Sequence, residues 1–131
     1  MNETDDRGAA STQLVLVTPL VLLLMLLCAQ FALAWHAQHI AQTAATHGLA
    51  DARALDGNER AGADTARAAL RSAGGRVLSD PEVRVRRDAT SASVDIDGTV
   101  LPLIPGLHLA VSGHAEGPVE RFTTAAGDSD E

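Results

Sequence analysis

The stretch that decides the fold is Leu14–Trp35, LVLVTPLVLLLMLLCAQFALAW, which contains no Asp, Glu, Lys or Arg. At ~1.5 Å per residue it makes a helix of roughly 33 Å, long enough to cross the hydrocarbon core of a bilayer. In water that helix would be apolar on every face. A chain of 131 residues has too little other surface to bury it as an ordinary core helix. Residues 14–35 therefore read as a transmembrane helix, and the rest of the chain is organised on either side of it.

The N-terminal side is short. Residues 1–13 form a leader whose first seven residues, MNETDDR, carry three acids and one Arg. A secretory signal normally opens with a positive segment, and this head does not. Ser11 or Thr12 stands where a helix cap is expected. Pro19 falls inside the span, where it removes the hydrogen bond to Val15 and adds a mild kink that membrane helices tolerate. Ala32-Leu33-Ala34 fits the pattern of a signal-peptidase site, so release after Ala34 is the alternative to a retained anchor. A lipoprotein reading at Cys28, the only cysteine, fails because Leu27 precedes it. Trp35 closes the run and suits the lipid–water interface, with burial in a helix bundle as its alternative.

Beyond Trp35 the helix is expected to continue as an amphipathic stalk to about Ala54. Ala37, Ala41, Ala45, Leu49 and Ala52 recur at helical spacing, with Ile40 and Ala44 beside them. Gly48 is a candidate bend, and Asp56-Gly57-Asn58 signals a turn. Glu59–Ala73 reads as a second helix with Ala66, Ala69, Leu70 and Ala73 on one face. Arg60, Asp64, Arg67 and Arg71 form a charge ladder on the other, and Gly74-Gly75 ends the helix. The period then changes to two, which predicts three half-buried antiparallel strands. They centre on Val83/Val85, on Ala92/Val94/Ile96 and on Leu107/Leu109/Val111. Residues 88–91 fit a hairpin loop. Residues 101–106, LPLIPG, form an apolar loop broken by two prolines, which either folds back on the stalk or meets a partner. The predicted fold is α+β: a membrane-anchored long helix, a short helix and a small three-stranded sheet over residues 36–122. Residues 123–131 read as an acidic disordered tail.

Composition excludes several functions. A net charge of −7 with no Lys/Arg cluster argues against nucleic acid as a partner. The aromatic residues are Phe31, Trp35 and Phe122 alone, so the core is built from small aliphatics and is expected to lean on partners. His36 and His39 lie one turn apart, and His108 and His114 fall on the polar face of the last expected strand. No third ligand is near in sequence, so they read as surface histidines, with no metal or cofactor expected. No nucleophile elbow or phosphate loop is present, and no enzymatic activity is expected.

A polar head ending in Gly, a hydrophobic helix, an Ala-rich stalk and a small sheet resemble pilin-like proteins. More closely, the chain resembles the TadE-like pilus-assembly proteins of the tight-adherence (Tad) system. The likeness is carried by residues 7–14 (RGAASTQL), by Thr18-Pro19-Leu20 ahead of the Leu run, and by Gln30-Phe31. Residues 101–107 (LPLIPGL) and 117–122 (GPVERF) extend it to the C-terminal half.

The resemblance implies a minor pilin-like, or pseudopilin, component of a pilus assembly or secretion apparatus. It would be a single-pass protein of the cytoplasmic membrane, with residues 1–13 cytoplasmic and 36–122 extracytoplasmic, open to incorporation in a pilus. Its implied partners are other pilin-like subunits, pilus-assembly membrane proteins and membrane lipid. It also implies cleavage by a prepilin peptidase between Gly8 and Ala9. The family pattern places Glu at the fifth residue after the cut, where this chain has Gln13. A Gln can hydrogen-bond but supplies no countercharge to a neighbour's terminal amine, which favours an accessory role over a major subunit. The competing reading is a secreted or anchored binding module released after Ala34. Charge supports the cytoplasmic leader only slightly, because Arg7 lies nearer the span than Arg53 does.

The mature N-terminus separates these readings. Sequencing is expected to find Ala9 in the wild type and Met1 in Gly8→Leu, with both forms sedimenting with membranes. A product beginning at Trp35 in the soluble fraction would instead establish release.

Overall fold

The structure is a computed structural model, described for residues 3–122; the expected acidic tail lies outside the described residues. Its elements in chain order are α1 (Glu3–Arg53), α2 (Glu59–Gly74), β1 (Leu78–Arg87), β2 (Ser91–Val100) and β3 (Ala110–Pro118). The strands form one antiparallel sheet in the order β1-β2-β3. This is the α+β arrangement expected: a long N-terminal apolar helix, a short helix and a three-stranded sheet.

The helix α1 is a single element of 51 residues and runs through Pro19. It begins well before Ser11 and Thr12, so neither caps it. Their hydroxyls instead donate back to the Gly8 carbonyl at 3.0 Å each, as Ser and Thr inside a helix commonly do. From Leu14 to Leu26 its large side chains are exposed on all sides, the surface a bilayer would cover. From Gln30 onward one stripe turns inward. It comprises Gln30, Ala37, Ile40, Ala41, Ala44, Ala45, Leu49 and Ala52, all buried, and includes every stalk position expected from the spacing.

The sheet lays its apolar face on that stripe. Across the register, Val83, Ile96 and Gly113 form one row, Val85, Val94 and Ala115 the next, and Arg87, Ala92 and Gly117 the last. The smallest side chain of each row stands on β3, and α1 lies closest over that strand. A Cβ added at Gly113 would collide with the Ala41 carbonyl and lie 2.8 Å from the Gln42 nitrogen. The expected third strand was centred on Leu107–Val111, whereas β3 begins at Ala110. Pairing with β2 starts at Ala110 opposite Thr99, while the Leu109 carbonyl accepts from the Val100 N–H and closes the loop. The inward phase at Val111 is as expected. It continues through Gly113, Ala115 and Gly117, whose small side chains carry no hydropathy signal. His108 consequently lies in the loop before β3, and only His114 stands on the strand.

The packing of α2 on α1 follows the same rule. Its buried positions are Gly62, Ala66, Leu70 and Gly74, a four-residue stripe in which Ala66 and Leu70 were expected. Ala69 is half-buried and Ala73 exposed, because two glycines take the closest contacts. A Cβ at Gly48 would stand 2.8 Å from the Gly62 carbonyl oxygen, and one at Gly62 only 2.7 Å from the Ala52 Cβ. Gly48 is therefore a contact point between helices rather than a bend. Asn58 caps α2, its side chain accepting from the Ala61 N–H at 2.9 Å. Of the charge ladder, Arg67 and Asp64 pair at 3.7 Å.

The hairpin loop falls where expected. The Asp88 carboxylate accepts from the N–H groups of Thr90 and Ser91 and from both hydroxyls. These bonds, led by the Thr90 N–H, lower its pKa from 3.8 to about 2. At the far end of β1 a bulge between Ser79 and Glu82 accommodates Pro81, with Asp80 at φ 49°.

The closeness of β3 to α1 is testable at one atom. Gly113→Ala places a methyl against the Ala41 backbone and is expected to lower stability by about 1–3 kcal/mol, the usual cost of overpacking. Denaturant unfolding in detergent, followed by circular dichroism, measures it; an unchanged midpoint would mean that the strand sits further out.

Candidate functional site

The most specific constellation of side chains in the molecule is a row of glutamines on α1. A primary amide offers one acceptor and a donor side by side, as a peptide group does. Gln38 and Gln42 use this against the outer edge of β3. The Gln38 Nε2 donates to the Ser112 carbonyl at 2.5 Å, and its Oε1 accepts from the Ser112 N–H at 3.2 Å. One turn on, Gln42 does the same to His114, at 2.7 and 3.3 Å. Ser112 and His114 are alternate residues of a strand whose other side pairs with β2. The helix thus supplies two rungs of a ladder that a fourth strand would otherwise supply, and it closes an edge open to unwanted pairing.

Gln30 repeats the pairing where no strand exists. It is fully buried, 0% exposed, and holds the apolar loop of residues 101–107. Its Nε2 donates to the Leu101 carbonyl at 3.3 Å, and its Oε1 accepts from the Leu103 N–H at 2.6 Å. The loop therefore folds back on the helix, one of its two expected positions. Gln30 lies within the apolar run, and its polar side chain is fully used there. Among the described residues no buried side-chain N or O lacks a partner.

The opposite end of the α+β part of the chain, residues 36–122 and hereafter the head, is fixed by Arg87, the one charged residue on the inward sheet face. Its Nη1 donates to the carbonyls of Ala52 at 2.9 Å and Ala54 at 3.1 Å, and to that of Gly57. These carbonyls lie at the C-terminus of α1 and in the turn beyond it, where a cation is favoured. The Glu59 carboxylate accepts from the Arg87 N–H at 2.9 Å, and the Glu120 N–H donates to the Arg53 carbonyl at 2.9 Å. Arg87 was not singled out from sequence; its inward parity, opposite Ala92, was the available signal.

The residues expected to matter from sequence are scattered along α1. Gly8 and Gln13 are exposed in its first turns, and Ala9 lies in the same helix. Trp35 is 72% exposed, its ring edge-on to His39 with centroids 5.4 Å apart. His114 pairs with Asp95 at 2.6 Å on the solvent face of the sheet, and Arg84 with Asp97 at 2.8 Å. The larger of two grooves, about 400 Å³ between α1 and α2, is lined mostly by Ala and Thr, with His47 its one titratable group. The other, about 230 Å³, has Arg67 and Arg71 on its wall beside Leu70 and Leu78.

Comparison with known families finds that residues 8–49 match the family described as TadE-like protein. The match confirms, over α1, the resemblance seen in the sequence, and it spans all three glutamines and Trp35. It stops before the sheet. No curated protein and no solved structure matches the chain. The single N-terminal apolar helix of the chain fits membrane anchoring.

The glutamine contacts predict a graded response. Gln30→Leu leaves the Leu101 and Leu103 backbone groups unpaired in a buried site and is expected to cost about 1–3 kcal/mol. Gln38→Leu and Gln42→Leu act at exposed positions, each costing about 0.5–1 kcal/mol. In hydrogen exchange the last two are expected to speed the Ser112 and His114 amides selectively; unaltered exchange there would remove the edge-capping role.

Proposed function

We propose that this protein is a minor pilin-like structural subunit of a Tad-type pilus assembly or secretion apparatus. It is held in the cytoplasmic membrane by one helix, with residues 36–122 outside. The observation that carries this reading is the TadE-like match along residues 8–49, on a helix that continues unbroken from an apolar span into a small α+β head. The proposed role is structural rather than catalytic. The exposed apolar stripe from Leu14 to Leu26 packs against the helices of similar subunits, and the head is displayed beyond the lipid. Prepilin-type cleavage after Gly8 belongs to the same proposal.

Release after Ala34 is the weaker reading on packing grounds. That cut would remove Gln30 and Leu33, and with them the hydrogen bonds to the Leu101–Leu103 segment and part of the wall of the core. The freed fragment would lose the buried end of its own head.

Orientation is the direct test. A reporter active only outside the cytoplasm, fused after Phe122, is expected to be active in cells, with the fusion in the membrane fraction. Activity of a cytoplasm-only reporter at the same junction would invert the topology and exclude the pilus role.

A further inference from the structure

We propose that the 101–107 loop is a second membrane element, lying in the lipid beside α1 rather than in the water above it. This rests on the reading of α1 as a membrane anchor. It adds a contact between head and bilayer made by Leu101, Pro102 and Leu103.

Depth carries the argument. The loop is bonded to Gln30, which lies five residues before Trp35 and so ~7.5 Å nearer the centre of the span. A Trp35 at the interface puts the Gln30 level, and the loop with it, below the surface. Raising the helix until Gln30 meets water would leave residues 14–29 as the apolar span, ~24 Å against a hydrocarbon core of ~30 Å. Holding the loop in water therefore shortens the anchor; letting it enter lipid does not.

Chemistry agrees with depth. No Asp, Glu, Lys or Arg occurs between Asp97 and Glu116, nor on α1 between Arg7 and Asp51. Leu101 is 44% exposed and Leu103 40%, on a loop otherwise fixed to the head. Lipid admits irregular backbone only where its polar groups are satisfied. Pro102 and Pro105 have no N–H to satisfy. The N–H of Leu101 donates to the Val77 carbonyl at 3.0 Å, that of Leu103 to Gln30, and that of Leu107 to the Ile104 carbonyl at 3.1 Å. Leu101 presents its carbonyl to the Gln30 amide. The two prolines and the buried glutamine thus remove much of the cost that a loop would otherwise incur there. A second copy of the chain is the competing occupant of the same apolar surface.

The full-length protein permits a direct measurement. In a Cys28→Ser background, Leu103→Cys carries an environment-sensitive fluorophore. Val21→Cys labels the span, and Thr90→Cys labels the hairpin turn beside the far end of α1. Leu101→Cys repeats the loop reading with a different side chain. Each is reconstituted in phosphatidylethanolamine–phosphatidylglycerol vesicles, with or without a lipid bearing a nitroxide high on its acyl chain. The nitroxide lipid is expected to quench the Leu103 and Leu101 labels several-fold more strongly than the Thr90 label, with blue-shifted emission. Unquenched loop labels beside a quenched Val21 label would overturn the inference and leave the anchor intact. An unquenched Val21 label would overturn the anchor itself. Loop labels that are blue-shifted yet unquenched, and that change with the protein-to-lipid ratio, would assign the loop to a second copy and overturn the inference.

Discussion

The structure depends on the side-chain amide of glutamine standing in for a peptide group. A three-stranded sheet has two edges, and an edge strand exposes N–H and C=O groups that must find partners. β3 finds them on a helix, at Gln38 and Gln42, one helical turn apart. The match works because a four-residue helical step (~6 Å) is close to a two-residue strand step (~6.6 Å). Two rungs can therefore be set by two glutamines with little strain, and a third glutamine further down takes the loop.

Such bonding requires the helix to approach the strand closely, which explains the composition. A head with no aromatic side chain in its core can bury little area per residue. It compensates by bringing backbones together: Gly113 against Ala41, Gly48 against Gly62, Ala52 beside Gly62. Small residues at these points forgo side-chain burial and gain dispersion contacts between main chains. The same choice makes α1 indispensable. Its stripe from Ala37 to Ala52 supplies seven positions of the core and covers the sheet face, so the apolar face of the sheet has no cover without it.

What could be read from the sequence follows from where hydropathy carries information. The span, the stalk stripe from Ala37 to Ala52, the start of α2 at Glu59 and the Asp88 hairpin were all legible, because apolar spacing or turn chemistry marks them. The third strand was placed too early because Leu107 and Leu109 alternate strongly while Gly113, Ala115 and Gly117 do not. The polar clamps were invisible for a different reason. A glutamine on a helix reads as solvated surface, and only the tertiary arrangement shows that it faces a strand edge. Gln30 differs: a primary amide inside an apolar run is costly in lipid unless it has a partner. In the sequence it stands out only through the family likeness, because its partner, the Leu101–Leu103 backbone, lies 71 to 73 residues away.

The attachment of head to helix is also distributed rather than terminal. Gln30 holds the end near the span, Gln38 and Gln42 the middle, and Arg87 with the Glu120 N–H the far end. From Gln30 to Arg53 these bonds span ~35 Å of helix. A force drawing the head along the helix axis would load several of them in shear together, whereas a head joined by a linker would pass the same force through one flexible segment. The sheet and the outer part of α1 are thus tied together along that whole length, and the orientation of α1 sets the position of the head.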